Sequence, residues 1–422
     1  MKIKQIKKPY LVVANIKFPK HKAPKKPNVF WRTIIRLASI PDLFFTKFSY
    51  TSERMDKAGK GPYFILMNHS SFIDLEIASK IFYPKPYCIV STTDGMVGKE
   101  WLMRSIGCIP TNKFVTDVTL IKDILHATKK LKTSVLMYPE AGYSFDGCAT
   151  TLPRRLGVLL KKLNIPVITV ITDGAFLRDP LYNGLQKRKV KVSAKVTCLF
   201  TPDELKEKSV EEIDKALDLA FSFDAFKSQL TTKTEITEPF RADGLHRVLY
   251  KCANCGAENT MQGGGIHLSC STCGKKYELT TLGELKATEG DTKFSHIPDW
   301  YNWQRKCVRE QIENGEYSAD IPVNIGIITD YKALYMVGDG VLHHDKNGFI
   351  LNGANSELSY TQSPTHSYSL NADYFWYEIG DVICIGNKQS LYYCFPKVPY
   401  PVAKTRLATE ELYKLLKNRA TD

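Results

Sequence analysis

From Tyr63 to Gly174, short apolar runs alternate with segments of helical periodicity, and this alternation constrains the fold more than any other feature of the 422-residue chain. "YFILMN" (63–68), "PYCIVS" (86–91), "CIPTNK" (108–113), "SVLMYPE" (134–140) and "IPVITVITDG" (165–174) each read as a buried strand. Between them lie "SFIDLEIASKIF" (71–82), a stretch near Met96–Ile106, "VTLIKDILHATKKLK" (118–132) and "LPRRLGVLLKKLN" (152–164), all of helical pattern. Parallel strands need a crossover of a dozen or more residues, usually a helix. The alternation therefore predicts βαβ units and a largely parallel sheet; the fold expected is α/β, a mixed sheet flanked by helices. "KVKVSAKVTCLF" (189–200) adds a strand, and residues 201–226 a long helical region.

The flanks have a different texture. Residues 1–60 read as a basic arm and an amphipathic helix, and 61–240 as the α/β domain. Residues 241–290 carry paired cysteines, and 291–320 an aromatic linker. Residues 321–422 form a β-rich domain closed by a helix, "ATEELYKLLKNR". Six or seven antiparallel strands capped by one helix suggest a small barrel resembling a pleckstrin-homology domain. In the linker, Trp300, Tyr301 and Trp303 suit packing between domains, with lipid contact as the alternative. His343-His344-Asp345 reads as a hairpin turn and not as a metal site.

Of eleven cysteines, four stand as "CANC" (252–255) and "CSTC" (270–273), fourteen residues apart and each followed by glycine. Two such turns present four thiolates and predict a zinc ribbon with Cys252, Cys255, Cys270 and Cys273 as ligands. Four thiolates leave no coordination position for water, so the zinc is expected to be structural. His267 is a neighbour and not a ligand. Paired thiols with dispersed remaining cysteines fit a reducing compartment.

Lysine plus arginine number 58 against 44 acidic residues, a net charge of +14. No acidic residue precedes Asp42, whereas eleven basic ones do. A basic arm adds about 1 kcal/mol per cation held near an anionic membrane surface; the alternative is a solvated tail. "VFWRTIIRLASIPDLFF" (29–45) carries Arg32, Arg36 and Asp42 and is broken at Pro41. It is too polar to span a bilayer. It can lie in the plane of the interface or pack on the protein's own core. The expectation is a cytoplasmic protein, peripheral at the inner face of a membrane, with nucleic acid not expected as a partner.

In "NHSSFID" (68–74) a histidine leaves a strand and a carboxylate follows five residues later. On a regular helix an i, i+5 pair is separated by about 140°. His69 and Asp74 can face each other only if His69 lies in the turn and Asp74 in the first helical turn, with Ser70 or Ser71 as the cap. A carboxylate on one ring nitrogen fixes the tautomer, and the other nitrogen can take a proton from a hydroxyl.

Three further segments give this spacing its context: "GCIPTNK" (107–113), "YPEAGYS" (138–144) and "IPVITVITDGA" (165–175). With "NHSSFID", they resemble in order the four motifs of the glycerolipid acyltransferases, the lysophosphatidic acid acyltransferase family, over roughly residues 30–230. The resemblance implies that His69 is the general base and Asp74 its orienting partner. It implies an acyl-carrier protein or acyl-CoA thioester as donor and a lysophospholipid as acceptor, foremost 1-acyl-sn-glycerol 3-phosphate. Glu140 would bind or orient the acceptor, and Lys113, where the family usually has arginine, would attract its phosphate. Backbone amides near Gly142 would hold the oxyanion, with Tyr143 and Ser144 completing the substrate site. The third motif departs from the family: Ala141, Gly142 and Tyr143 stand for Gly, Thr and Arg. Arg154, Arg155 or Arg178 could replace the lost guanidinium, and Tyr143 could bond a different head group. Two alternatives follow: transfer to a non-glycerolipid acceptor, or an inactive zinc-ribbon scaffold binding nucleic acid or protein.

Overall fold

The computed structural model describes residues 2–115 and 117–419. The apolar runs form a seven-stranded sheet in the order Ser49–Glu53, Ser193–Phe200, Val167–Asp173, Phe64–Met67, Ser134–Met137, Tyr87–Thr92, Cys108–Thr111. Its last five strands are parallel, and Ser193–Phe200 runs against Val167–Asp173. The expected mixed α/β sheet is thus present, largely parallel as the alternation predicts. Phe64–Met67 is buried at all four positions, as a central parallel strand covered on both faces should be. Ser49–Glu53 has no apolar pattern and was not expected to be a strand. It is an exposed edge strand held by parallel pairing to Ser193–Thr197. With no buried face, it carries no period-two signal.

Four short antiparallel strands, Met261–Gly264, His267–Cys270, Lys276–Leu279 and Leu285–Ala287, build the ribbon. The C-terminal sheet has seven antiparallel strands. Ser318–Ile328, Leu334–Asp345, Gly348–Gly353 and Leu358–Gln362 meander in order. Asn371–Trp376, Gly380–Gly386 and Leu391–Pro396 do the same, and Leu391–Pro396 pairs with Ser318–Ile328 to join the two sets. Helix Val402–Arg419 follows. His344 ends a strand, buried and stacked at 3.8 Å on Phe349, and accepts or donates a 2.9 Å bond with Tyr317 Oη. The hairpin turn proper is Lys346–Asn347.

The linker is a helix, Ile297–Glu313, with Trp300 and Tyr301 buried and Trp300 Nε1 donating to Lys251 O at 2.9 Å. One apolar cluster runs through Cys252, Tyr277, Trp300, Ile325 and Leu407 and on to Phe145 and Phe176 of the α/β unit. Ribbon, helix and β sheet therefore share a core that reaches the periphery of the α/β unit, whose own strands pack in two separate clusters.

The N-terminal segment is also built into the molecule. Gln5–Lys7 adds a parallel strand to Leu334–Asp345. His21 Nε2 lies 3.0 Å from the Asp123 carboxylate, and Lys22 Nζ 2.9 Å from Glu100. Pro27 packs so closely on Gly107 that a Cβ there would sit 2.5 Å from its Cγ, and Gly107 has φ +89°. Both constraints require the glycine that opens "GCIPTNK". Beyond Pro27, helices Val29–Ala38 and Ile40–Phe45 leave Val29, Phe30, Leu37, Phe44 and Phe45 exposed. Among the described residues, no helix is long and apolar enough to cross a membrane.

Candidate active site

Strands Phe64–Met67, Tyr87–Thr92, Cys108–Thr111 and Ser134–Met137 end on the same side of the sheet, and the chemistry-bearing turns lie there. This is where open parallel sheets bind ligands. Asn68 fixes the first turn to the neighbouring strand: its Oδ1 accepts from Thr172 N at 2.8 Å and Thr172 Oγ1 at 3.1 Å, and its Nδ2 donates to Ser70 Oγ at 3.1 Å. His69 follows in the turn, and Asp74 opens helix Asp74–Phe82. Asp74 Oδ2 accepts from His69 Nδ1 at 3.0 Å, Ser70 N at 2.9 Å and Ser71 N at 3.1 Å. Neither serine caps the helix. Ser70 Oγ is taken by Asn68, and Ser71 Oγ donates to Asp179; the carboxylate of Asp74 satisfies the turn amides instead.

With Nδ1 donating to Asp74, the imidazole keeps its lone pair on Nε2, and no described residue takes that nitrogen. The ring is sandwiched between Tyr138 and Tyr143, with centroids at 4.1 and 4.0 Å and planes within 26°. Burial lowers the His69 pKa below its ordinary value, and Asp74 pulls it partly back. The ring is therefore neutral, and able to accept a proton, at neutral pH. Burial holds both tyrosine phenols protonated.

His69 and Asp74 line a cavity of about 840 Å³. Lys113, Ala141, Tyr143 and Arg154 line it as well. Lys113 makes no ion pair within 4 Å among the described residues, and its charge opposes the effect of burial on the Asp373 carboxyl across the cavity. Among the described residues the amides of Gly142 and Tyr143 have no acceptor, whereas Ala141 N donates to Tyr138 O at 3.1 Å and Ser144 N to His69 O at 3.4 Å. Ala141 holds φ +55° in the turn that carries these amides.

Three of the residues assigned to substrate, Glu140, Gly142 and Ser144, do not line the cavity. Glu140 is buried and lies outside the cavity wall. Its Oε2 accepts from His69 N at 2.9 Å, and its Oε1 from Thr150 N at 2.9 Å and Thr150 Oγ1 at 3.2 Å. Instead of holding the acceptor, it holds the histidine's backbone. Burial pushes its carboxyl up to about 7 against these donors. Ser144 Oγ donates to Cys148 O at 2.6 Å and accepts from Gly147 N at 3.0 Å, so it closes its own loop. Of the three arginines expected to replace the lost one, Arg155 is exposed and Arg178 is buried on Asp42 and Asp179. Only Arg154 reaches the cavity.

The far wall was not expected. Thr365–Tyr368 and the hairpin from Asp373 to Glu378, both in the C-terminal β unit, close the cavity. Trp376 Nε1 donates to Asp94 Oδ2 at 3.1 Å, Tyr374 Oη to Arg247 O at 2.9 Å, and the Arg247 guanidinium lies 4.0 Å over Phe375. The sequence did hold a signal. Four consecutive aromatics, Tyr374 to Tyr377, cannot all be buried on one face of a strand.

In the ribbon, the thiol sulfurs of Cys252, Cys255, Cys270 and Cys273 lie within 4.8 Å of one another. Cys252–Cys273 and Cys255–Cys270 are each 3.8 Å apart. A tetrahedron with metal–sulfur bonds of about 2.3 Å has edges of about 3.8 Å, so the donors fit a metal ion. Gly256 and Gly274 turn each knuckle at φ +77° and +73°. His267 lies outside the cluster.

Comparison with known proteins bears on the α/β unit. Residues 47–173 match the family model described as Acyltransferase, and the resemblance read from the four motifs holds over that segment. A solved structure, the 1-acyl-sn-glycerophosphate (LPA) acyltransferase PlsC from Thermotoga maritima, is similar at 18% identity, covering 45% of this chain and 76% of that one, with a TM-score of 0.35. That likeness is too slight to carry fold or function across. No curated protein matches.

Proposed function

We propose that this chain, whose residues 47–173 resemble the Acyltransferase family, moves a fatty acyl group from a thioester to the hydroxyl of a lysophospholipid, foremost 1-acyl-sn-glycerol 3-phosphate. One observation carries the reading: His69 Nδ1 is committed to Asp74 at 3.0 Å on the wall of a large cavity, and its other nitrogen has no partner among the described residues. Nε2 takes the proton of the acceptor hydroxyl while its oxygen attacks the thioester carbonyl of acyl-CoA or acyl-carrier protein. Asp74 steadies the imidazolium that forms. The amides of Gly142 and Tyr143 stabilise the oxyanion. When the intermediate collapses, the C–S bond breaks and the imidazolium returns its proton to the leaving thiolate. Lys113 attracts the acceptor phosphate as a point charge.

The exposed apolar helix pair and the basic residues beside it, Arg32, Arg36 and Lys47, support docking on an anionic membrane, where the lysophospholipid acceptor resides. A zinc ion on the four cysteines would supply cross-linking and no reactive position, because all four ligands are protein thiolates.

The test is transfer from labelled acyl-CoA and acyl-carrier protein to a panel of lysolipids and non-glycerolipid alcohols. Product with lysophosphatidic acid is expected. His69→Ala should lower the rate by about 10²–10⁴-fold, the usual worth of a general base, with fold and metal content unchanged. Full activity in folded His69→Ala would sink the mechanism. Product only with another acceptor would move the substrate assignment.

A further inference from the structure

The third motif lacks its arginine, and none of the three nearby candidates replaces it at the catalytic turn. A guanidinium does stand there, from the opposite end of the chain. Arg406, on helix Val402–Arg419, donates from Nη1 to Tyr143 O at 3.2 Å across 263 residues of sequence. Its guanidinium lies 4.5 Å over the Phe145 ring. It is 4% exposed and does not line the cavity, so it cannot touch a substrate. Its place is fixed from behind. Nε donates to Glu410 Oε1 at 3.2 Å, Ser369 Oγ to the same oxygen at 2.7 Å, and Arg305 Nη1 pairs with Glu410 Oε2 at 2.6 Å. Burial of Glu410 opposes its charge, yet Arg305 and Arg406 hold its carboxyl down to about 2. The loop that Arg406 grips carries the Tyr143 ring stacked on His69 and the Gly142 and Tyr143 amides.

We infer that Arg406 is a positioning residue for acyl transfer: the C-terminal helix supplies the cation that the third motif lacks, and through Tyr143 and Glu140 it sets the attitude of His69. The inference rests on the acyl-transfer reading for its effect on rate, but not for its effect on His69. Glu140 is faced by the His69 amide from its turn, by Thr150 from the following loop, by Tyr368 from the β unit and by Arg406 from the helix. Arg406 favours the ionised carboxylate that accepts from His69 N. Removing its charge moves the Glu140 carboxyl further up, so the acid limb of the activity profile should move to higher pH.

The test uses the full-length, metal-loaded protein with its nine histidines labelled with 13C. Arg406→Met should move the ring-current-shifted His69 signals. It should lower kcat about 10- to 100-fold at unchanged donor KM and displace the acid limb upward. Arg406→Lys keeps the charge but loses the fork. It should leave the acid limb in place while kcat still falls several-fold. If the methionine variant does not fold, the lysine variant decides by the same readouts. His69 signals and kcat unchanged in a folded variant overturn the inference, and so does a moved signal with unchanged kcat. An inactive parent protein would instead refute the acyl-transfer reading, and the His69 signals would still decide whether Arg406 positions the ring.

Discussion

At Asp74 the two carboxylate oxygens have unequal surroundings. Oδ2 accepts three N–H groups, whereas Oδ1 is buried with no partner. Asp74→Asn must keep its oxygen at the crowded position, which puts the amide NH₂ at the empty one. The substitution should therefore cost about 1–3 kcal/mol of stability for a buried donor without an acceptor. It also removes the charge that steadies the imidazolium, so the rate should fall by roughly 10²–10⁴-fold. Urea denaturation and the acyl-transfer assay read the two effects separately, and a variant with parental rate would show that Asp74 only folds the turn. That His69 and Asp74 can face each other was legible from the strand end, turn and helix start, but the spacing is common by chance, and its reading as a dyad came from the three other motifs of the family resemblance. Glu140 was not legible in the same way. A short motif gives its proximity to His69 but not the direction of its carboxylate, which turns to the backbone amides of His69 and Thr150.

At the scale of elements, helices Val29–Ala38 and Ile40–Phe45 carry a run of exposed apolar side chains, with Phe44 76% and Phe45 79% exposed. Sequence periodicity marked this segment as amphipathic but could not say whether its apolar face meets core or solvent, since both give the same pattern. The packing decides: no residue of Val29–Ala38 is buried. Helix Ile40–Phe45 is anchored by Arg178, whose buried guanidinium reaches Asp42 at 2.6 Å and Asp179 at 2.8 Å, while Asp179 accepts from Ser71 in the turn that holds His69. Fully burying a phenylalanine contributes about 1.5–3 kcal/mol. Phe44→Ser with Phe45→Ser should therefore weaken sedimentation with anionic vesicles by roughly 100-fold or more, leaving the melting temperature unchanged. Equal vesicle binding by the double variant would remove the helix pair from the membrane proposal. The edge strands Ser49–Glu53 and Gln5–Lys7 escaped sequence reading because backbone pairing alone makes them strands, with no apolar face to reveal them.

The whole molecule departs furthest from what local patterns convey. Sequence texture suggests five consecutive units, and periodicity within a window is blind to contacts between residues hundreds of positions apart. The apolar cluster instead joins the ribbon's inner face, the Ile297–Glu313 helix, the C-terminal sheet and helix, and Phe145 beside the catalytic loop. Polar contacts follow the same path. Lys404 of the C-terminal helix reaches Glu258 of the ribbon at 2.6 Å, Gln304 accepts from Lys251 N at 2.9 Å, and Arg406 two residues beyond Lys404 holds Tyr143. A structural zinc contributes on the order of 10 kcal/mol of apparent binding energy, comparable to the whole stability of an ordinary domain. If the four cysteines hold such an ion, its removal should loosen the four-stranded ribbon from the Ile297–Glu313 helix and take from the helix carrying Arg406 part of its seat. Elemental analysis should find one zinc per chain. Prolonged chelation should lower the melting temperature by at least about 10 °C and reduce acyl transfer in proportion to the metal lost, although no cysteine of the ribbon lines the cavity. Re-addition of zinc under reducing conditions should restore both. A metal-free protein with the parental melting temperature and rate would show that the ribbon is an appendage and not part of the scaffold that orients His69.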